Sequence, residues 1–211
     1  MFILYAKTAI LNHFFKGTAY VQPTNLYVGL STTDLLQDGS GLTEVTGGGY
    51  ARVVNNLWTV SGNQVSNTNA VTFAQATAAW GTPIQWFMAD AATLGNKIAR
   101  GPIVYPNTLF PCVVDHTANV VYMESVPFTA GQNVRFYAQT LPTPISGNTS
   151  YFVINVSTAN DSFQISLTSG GAAVAITADG HAFVGQDFAQ AVVLNNTVSF
   201  AAGQLLGILE G

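Results

Sequence analysis

The residues of this chain that could do chemistry are few: three histidines, one cysteine, ten carboxylates and six Lys or Arg in 211 residues. His13, His116 and His181 stand apart from one another, whereas a helical metal site wants two histidines one turn apart. Asp115-His116 and Asp179-Gly180-His181 have the types of a base and its orienting carboxylate. A nucleophilic serine on a strained elbow would have to accompany them, and the sequence has no Gly-x-Ser-x-Gly. Cys112 lies between Pro111 and Val113 in an apolar, strand-like run, the setting of a buried, inert thiol. Glycoside hydrolysis needs two facing carboxylates, and the spacing of the acids singles out no pair. These residues predict a protein that is not an enzyme, with no catalytic group, no cofactor and no bound metal.

The glycine-rich stretch GSGLTEVTGGGYARV, residues 39–53, is the other place where a ligand could sit. A phosphate loop ends in Gly-Lys-Ser/Thr and opens a helix. Here Gly49 is followed by Tyr50, and the next segment reads as a strand. Without a helix N-terminus there is no dipole to hold an anion. Asp34, Asp38 and Glu44 would repel phosphate, and they lack the spacing of a calcium loop. The glycines are expected to turn the chain, in a loop over 33–49 that wraps a neighbouring subunit.

Composition narrows the function further. Charged residues are only 8% of the chain, against about 25% in an ordinary soluble domain, while hydrophobic residues are 48%. The surface must be built of Thr, Ser, Asn, Gln and Gly, which suits a protein packed against other subunits. A net charge of −4 with a pI near 5.0 argues against nucleic acid, which needs clustered cations. The same shortage of cations argues against a membrane-surface helix. Residues 1–17 lack the basic start of a signal peptide and are too short to span a bilayer. Four Asn-x-Ser/Thr sequons, at Asn148, Asn155, Asn160 and Asn195, are the number that an Asn- and Thr-rich chain produces by chance.

The elements that would position these residues are mostly strands. Phe2, Ala6, Ala9, Ile10, His13 and Phe14 recur at helical spacing and Gly17 follows as a stop, predicting a helix over 2–16 with a docking stripe for its own sheet or a neighbour. Strands are expected over 25–32, 50–60 and 70–74, and a hairpin over 83–103 turns near Leu94-Gly95-Asn96. Trp86, Met88 and Ala99 share one side of that hairpin. A composition break near Tyr105-Pro106-Asn107 opens a run of short strands (120–123, 133–138, 150–156, 162–168, 172–177) separated by turn residues. Trp58, Trp80 and Trp86 are expected as core or interface anchors ahead of a sugar-stacking platform. PFTAGQNVRF and SFAAGQLLGI share Phe-x-Ala-Gly-Gln and read as two corners that need a glycine at positive φ.

Taken in order, HFFKGTAY, LYVGLSTTDLLQDGSGLTEVTGGGYARV, VTFAQATAAWG, PIQWFMADAATLGNKIARGPI and NTVSFAAGQL resemble a family of small virion proteins of tailed phages and prophages, often labelled tail fibre proteins. The resemblance covers about residues 1–105 and 189–210. The block between them, with NVRFYAQTLP, SYFVINV and SFQISLT, is similar to a small β-module that recurs in phage virion proteins. The resemblance implies a mostly β fold. It implies that a β-sandwich core with an N-terminal helix (1–106 and 188–211) forms an attachment domain and that a small inserted β-barrel or sandwich (107–187) is displayed. It implies a non-enzymatic structural protein of the virion, assembled in the host cytoplasm, as a head decoration or a tail-fibre component. The alternative is a receptor-binding module for a host glycan. Expected partners are other virion proteins, major capsid or tail subunits, and further copies of the chain, with a trimer as the usual symmetry. Candidate subunit contacts are Phe2, Tyr5, Phe14, Asp34, Tyr50, Trp58 and Trp86.

Overall fold

The computed structural model describes residues 1–103, 109–187 and 191–208. The composition break at 105–107 lies outside the described residues. In chain order the elements are α1 (Leu4–Lys16), β1 (Tyr27–Ser31), β2 (Val53–Val54), β3 (Trp58–Ser61), β4 (Gln64–Asn67), β5 (Val71–Thr72), β6 (Gln85–Ala89) and β7 (Lys97–Pro102). There follow β8 (Phe110–Asp115), β9 (Val120–Tyr122), β10 (Asn133–Tyr137), β11 (Tyr151–Ser157), β12 (Ser162–Ser166), β13 (Gly180–Gln186), β14 (Ser199–Phe200) and β15 (Leu206–Ile208). The protein is mostly β, and it divides into two compact units: Met1–Ile103 with Ala189–Gly211, and Val104–Phe188.

The first unit is built on an antiparallel sheet in the order β2-β1-β6-β7. Strand β6 is buried at every position, as a central strand covered on both faces must be. Alternation sends Trp86 and Met88 to one face, where they meet Val28, Leu30, Ala99, Val71, Phe73, Trp80, Phe200 and Leu205. The strands opposite come as a pair, β14-β5, and a triplet, β15-β4-β3, so the second layer of this sandwich is split. Phe87 and Ala89 point to the other face, under Ile3, Leu35 and Leu42. The segment expected as one strand over 50–60 is β2 and β3, interrupted at Asn55 to Leu57. There the Asn56 side chain accepts from the Leu26 amide, and the Asn55 carbonyl accepts from Trp58 Nε1. These local bonds take the chain out of one sheet and into the next.

Two glycines let two rings lie flat. Gly29 is directly across the ladder from Phe87, and Gly101 from Trp86. A Cβ on Gly101 would come 2.6 Å from Trp86 Nε1, and one on Gly29 would strike the Phe87 ring. Neither glycine has a positive φ, so space alone demands it. Each ring covers a cross-strand glycine, the pairing that stabilises an otherwise weak site in a sheet.

The second unit is a closed barrel in the order β10-β11-β12-β9-β8-β13. Its axis is filled by Val114, Val121, Val134, Phe136, Val153, Phe163 and Val184, all with no exposed surface. Phe110, Phe128 and Phe163 meet edge to face. A six-stranded barrel is narrow enough for side chains to fill it. The strand expected over 172–177 does not form, apart from one bridge at Ala173. Its amides bond elsewhere: Val174 to Ile165 O, Ile176 to Asn119 Oδ1 and Thr177 to Thr143 O. The ladder position is taken instead by β13, which pairs with both β10 and β8. Near the barrel's exit, Arg135 Nη2 donates to Asp187 Oδ2 at 2.8 Å with both side chains buried.

The two Phe-x-Ala-Gly-Gln corners have the same local structure. Gly131 and Gly203 have φ of 91° and 78°. In each corner the glutamine side-chain oxygen accepts from the amide three residues back, Thr129 or Ala201. The glutamine amide donates to the carbonyl of that same residue. The shared letters encode one self-contained turn, used once in each unit.

Gly29→Ala or Gly101→Ala should therefore lower stability by about 1–3 kcal/mol through forced displacement of the ring. Gly101→Ala should also change the near-ultraviolet circular dichroism of Trp86. Thermal melts should show no such loss for a substitution at an exposed strand residue, such as Thr59→Ala.

Candidate functional site

The glycine-rich stretch and the residues around it form a lock between loop and sheet. Gly47, Gly48 and Gly49 all have positive φ, and Gly48 lies so close to Trp80 that a Cβ would come 2.9 Å from the indole. The Gly48 carbonyl accepts from Trp80 Nε1 at 2.8 Å. Tyr50 stacks on Phe73 and meets the edge of Trp80. Its hydroxyl accepts from the Leu30 amide and donates to Glu44 Oε1, and burial raises its pKa above the ordinary tyrosine value. Arg52 grips both oxygens of Glu44, at 2.7 and 2.6 Å, and donates through Nη1 to Ala91 O and Leu94 O in the β6–β7 turn. The guanidinium also lies 5.0 Å from the Phe87 ring centroid. The polar groups of Trp80, Tyr50, Glu44 and Arg52 named here all bond within the protein.

The other acids of the loop are engaged as well. Asp34 Oδ1 accepts from Arg100 Nη1 at 2.9 Å and from Gln85 Nε2, while Gln85 Oε1 accepts from the Leu35 amide. Asp38 accepts from the hydroxyl and amide of Ser40, which hold its carboxyl below the usual carboxylate range. Asp34, Asp38 and Glu44 thus serve three separate purposes and do not converge.

Among the described residues, one cluster of possible metal ligands occurs, Asp115, His116 and Asp179, whose ligand atoms lie within 4.8 Å of one another. The pairing differs from the sequence neighbours. His116 contacts Asp179 Oδ1 through both its amide and Nδ1, each at 2.7 Å. Asp115 instead closes a turn on the Ala118 amide. Those bonds, the backbone one first, hold the Asp179 carboxyl below its ordinary pKa. Asp115 is half-buried and His116 and Asp179 are exposed. Cys112 is buried and donates to Ala182 O, and burial pushes its thiol up to about 12.

Of the candidate contact residues, Trp86 is 1% exposed and Asp34 7%, so both serve the interior. Phe2, Tyr50 and Trp58 are half-buried against the same core. Tyr5 and Phe14 are exposed, the latter at 75%. The predicted stripe on α1 is covered only over its first turns: Ala6 is buried, Ala9 and Ile10 are half-buried, and His13 and Phe14 are open to solvent. Residues 1–3 run beside β7, with Ile3 N donating to Ile98 O and Arg100 N to Met1 O. They anchor the helix at its start and leave its body free. Leu4, Leu11, Phe15 and Val21 are exposed too. Leu4, Leu11 and Phe15 fall outside the spacing that predicted the stripe, and Val21 lies beyond the end of the helix.

Two outcomes follow from these contacts. Arg52→Lys should lower stability by about 2–3 kcal/mol, because an ammonium cannot grip Glu44 with two bonds and reach the turn carbonyls as well; urea melts measure this. Cys112 should resist a thiol reagent in the folded protein at pH 8 and react fully in denaturant.

Comparison with known proteins adds the family. No curated protein matches the chain. The model of the podophage GP4 fiber I protein gp80 matches residues 2–111, just over half of the 211. The matched region takes in α1, the loop lock and the β6–β7 hairpin, and it ends at the second residue of β8. The chain therefore belongs to the podophage GP4 fiber I protein gp80 family, a family of phage tail-fibre-type virion proteins.

Proposed function

We propose that this chain is a non-enzymatic, fibre-type structural component of a phage tail, assembled in the host cytoplasm. The unit containing α1 joins it to other virion subunits, and the barrel is a displayed module. The observation that carries this reading is the family match over residues 2–111, most of which lies in the first unit. Three features support it. The loop 33–53 spends its acids and its arginine on holding the fold. The exposed surface carries little charge to be desolvated when subunits meet. The helix and the segment after it expose Leu4, Tyr5, Leu11, Phe14, Phe15, Tyr20 and Val21, large apolar side chains available to a neighbouring subunit.

The barrel is suited to insertion. The chain enters it on β8 and leaves it on β13, which are neighbours in the ladder, with Phe110 opposite Val184. A module whose ends meet can be added to a loop at small entropic cost. The strands β9 to β13 lie beyond the matched region.

Quantitative mass spectrometry of purified particles tests the reading. A handful of copies per particle is the expected result. Hundreds of copies would move the protein to the head as a decoration, and absence from mature particles would overturn the assignment altogether.

A further inference from the structure

The β3–β4 hairpin leaves one edge of its sheet uncovered. The order β15-β4-β3 puts β3 at the end. The chain turns through Gly62-Asn63, with Ser61 opposite Gln64, Val60 opposite Val65 and Thr59 opposite Ser66. Just past β4 the Thr68 amide donates to Leu57 O, while the Asn67 amide donates the other way, to Leu205 O. An antiparallel ladder alternates bonded and non-bonded pairs. Thr59 and Ser61 therefore bond to β4, and the N–H and C=O groups of Trp58 and Val60 turn away from it. Among the described residues no further strand lies on that side.

The edge also lacks the features that keep an edge from pairing. Native edge strands are blunted by charges, by prolines or by a covering segment. Residues 53–82 contain no charged residue and no proline. The side chains beside the edge are apolar and open to solvent: Val60 is 74% exposed, and Leu57, at the entry to β3, 54%. Elsewhere the chain protects its edges. The barrel is closed, and β7 is covered by residues 1–3, where Ile3 N donates to Ile98 O and Arg100 N to Met1 O.

We propose that the edge of β3 receives an extended, uncharged segment of a different virion subunit, which joins the sheet as a further strand. This rests on the reading of the chain as a virion component. The edge itself sets the chemistry of its partner. The outward main-chain groups of Trp58 and Val60 are met by a strand and not by a helix, whose own main-chain groups are used within it. Residues 53–82 offer no charge, so a charged segment would give up its water there and gain no partner. A second copy of this chain fits less well. Its matching edge is four residues long and ends in the Gly62-Asn63 turn. Two folded copies joined by such edges would cover little of the about 800 Å² per partner that a stable interface needs. An extended segment is free to follow the edge past the start of β3 and lie along Leu57 as well.

The test uses the full chain and, as probe, a fluorescently labelled octapeptide that alternates threonine with valine. The probe should bind the wild-type chain saturably, with no change between about 0.05 and 0.5 M salt, since no charge pair forms. Val60→Pro removes one outward N–H and no bond to β4, at a position where an edge strand accepts proline. It should weaken the probe by about tenfold or more. Val60→Lys should do the same by placing a charge on the edge, and Val60→Thr should bind as the wild type does. Circular dichroism and thermal melts should be unchanged in all three. Purified particles should contain less of the Pro and Lys variants than of the wild type. A probe that does not bind the wild type, or that binds the Pro and Lys variants equally well, overturns the proposal. So does a wild-type oligomer that Val60→Pro separates into single chains, because a second copy then takes the edge. Normal incorporation of both variants into particles overturns the edge and leaves the fibre assignment standing, whereas a wild-type chain absent from particles overturns that assignment.

Discussion

Strand β6 must be covered on both faces, and the rest of the first unit is arranged to do so. One face carries Trp86 and Met88 into the main core, and the other carries Phe87 and Ala89 under Ile3, Leu35 and Leu42. A sheet with two large rings at adjacent positions needs room on each side, which Gly29 and Gly101 provide. It also needs a lid over Phe87, since β6 is flanked by strands and not by helices. The loop 33–49 is that lid, which is why a glycine-rich, acid-bearing stretch is held by so many bonds to the rest of its unit.

Holding a loop over an aromatic ring is an electrostatic problem as much as an apolar one. Asp34, Arg100 and Gln85 are all less than a tenth exposed, and each charge is met by its partner or by an amide. Glu44 and Arg52 repeat the arrangement at the other end of the loop, with the guanidinium resting on the Phe87 ring. Breaking either pair would leave a desolvated charge, so the two ion pairs fix the position of the lid.

The same economy explains the surface. The chain has only sixteen Lys, Arg, Asp and Glu residues, of which these two pairs take four, and most of the surface polarity is uncharged. Such a surface is easily desolvated against a neighbour, and α1 adds an apolar face that its own unit does not cover. The helix is divided along its length: its first turns pack on the unit, and its later turns present side chains outward.

The sequence alone determined the elements whose signals are local. The stop of α1 at Gly17, the hairpin turn at Leu94-Gly95, the shared side of Trp86, Met88 and Ala99, and both Phe-x-Ala-Gly-Gln corners depend on φ preferences and on alternation within a few residues. The burial of Cys112 followed in the same way from its apolar run. Tertiary structure decided what depends on partners distant in the chain. His116 pairs with Asp179 and not with adjacent Asp115, because β8 and β13 lie side by side. Gly180–Gln186, not 172–177, closes the barrel, because ladder position is a competition between segments for the same hydrogen-bonding edges. Asp34 turned inward, for which sequence offered no sign, since burial of a charge requires an arginine sixty-six residues away. The helix was legible as a helix from its spacing, but which of its apolar faces was left open was settled only by how much of it the sheet could reach.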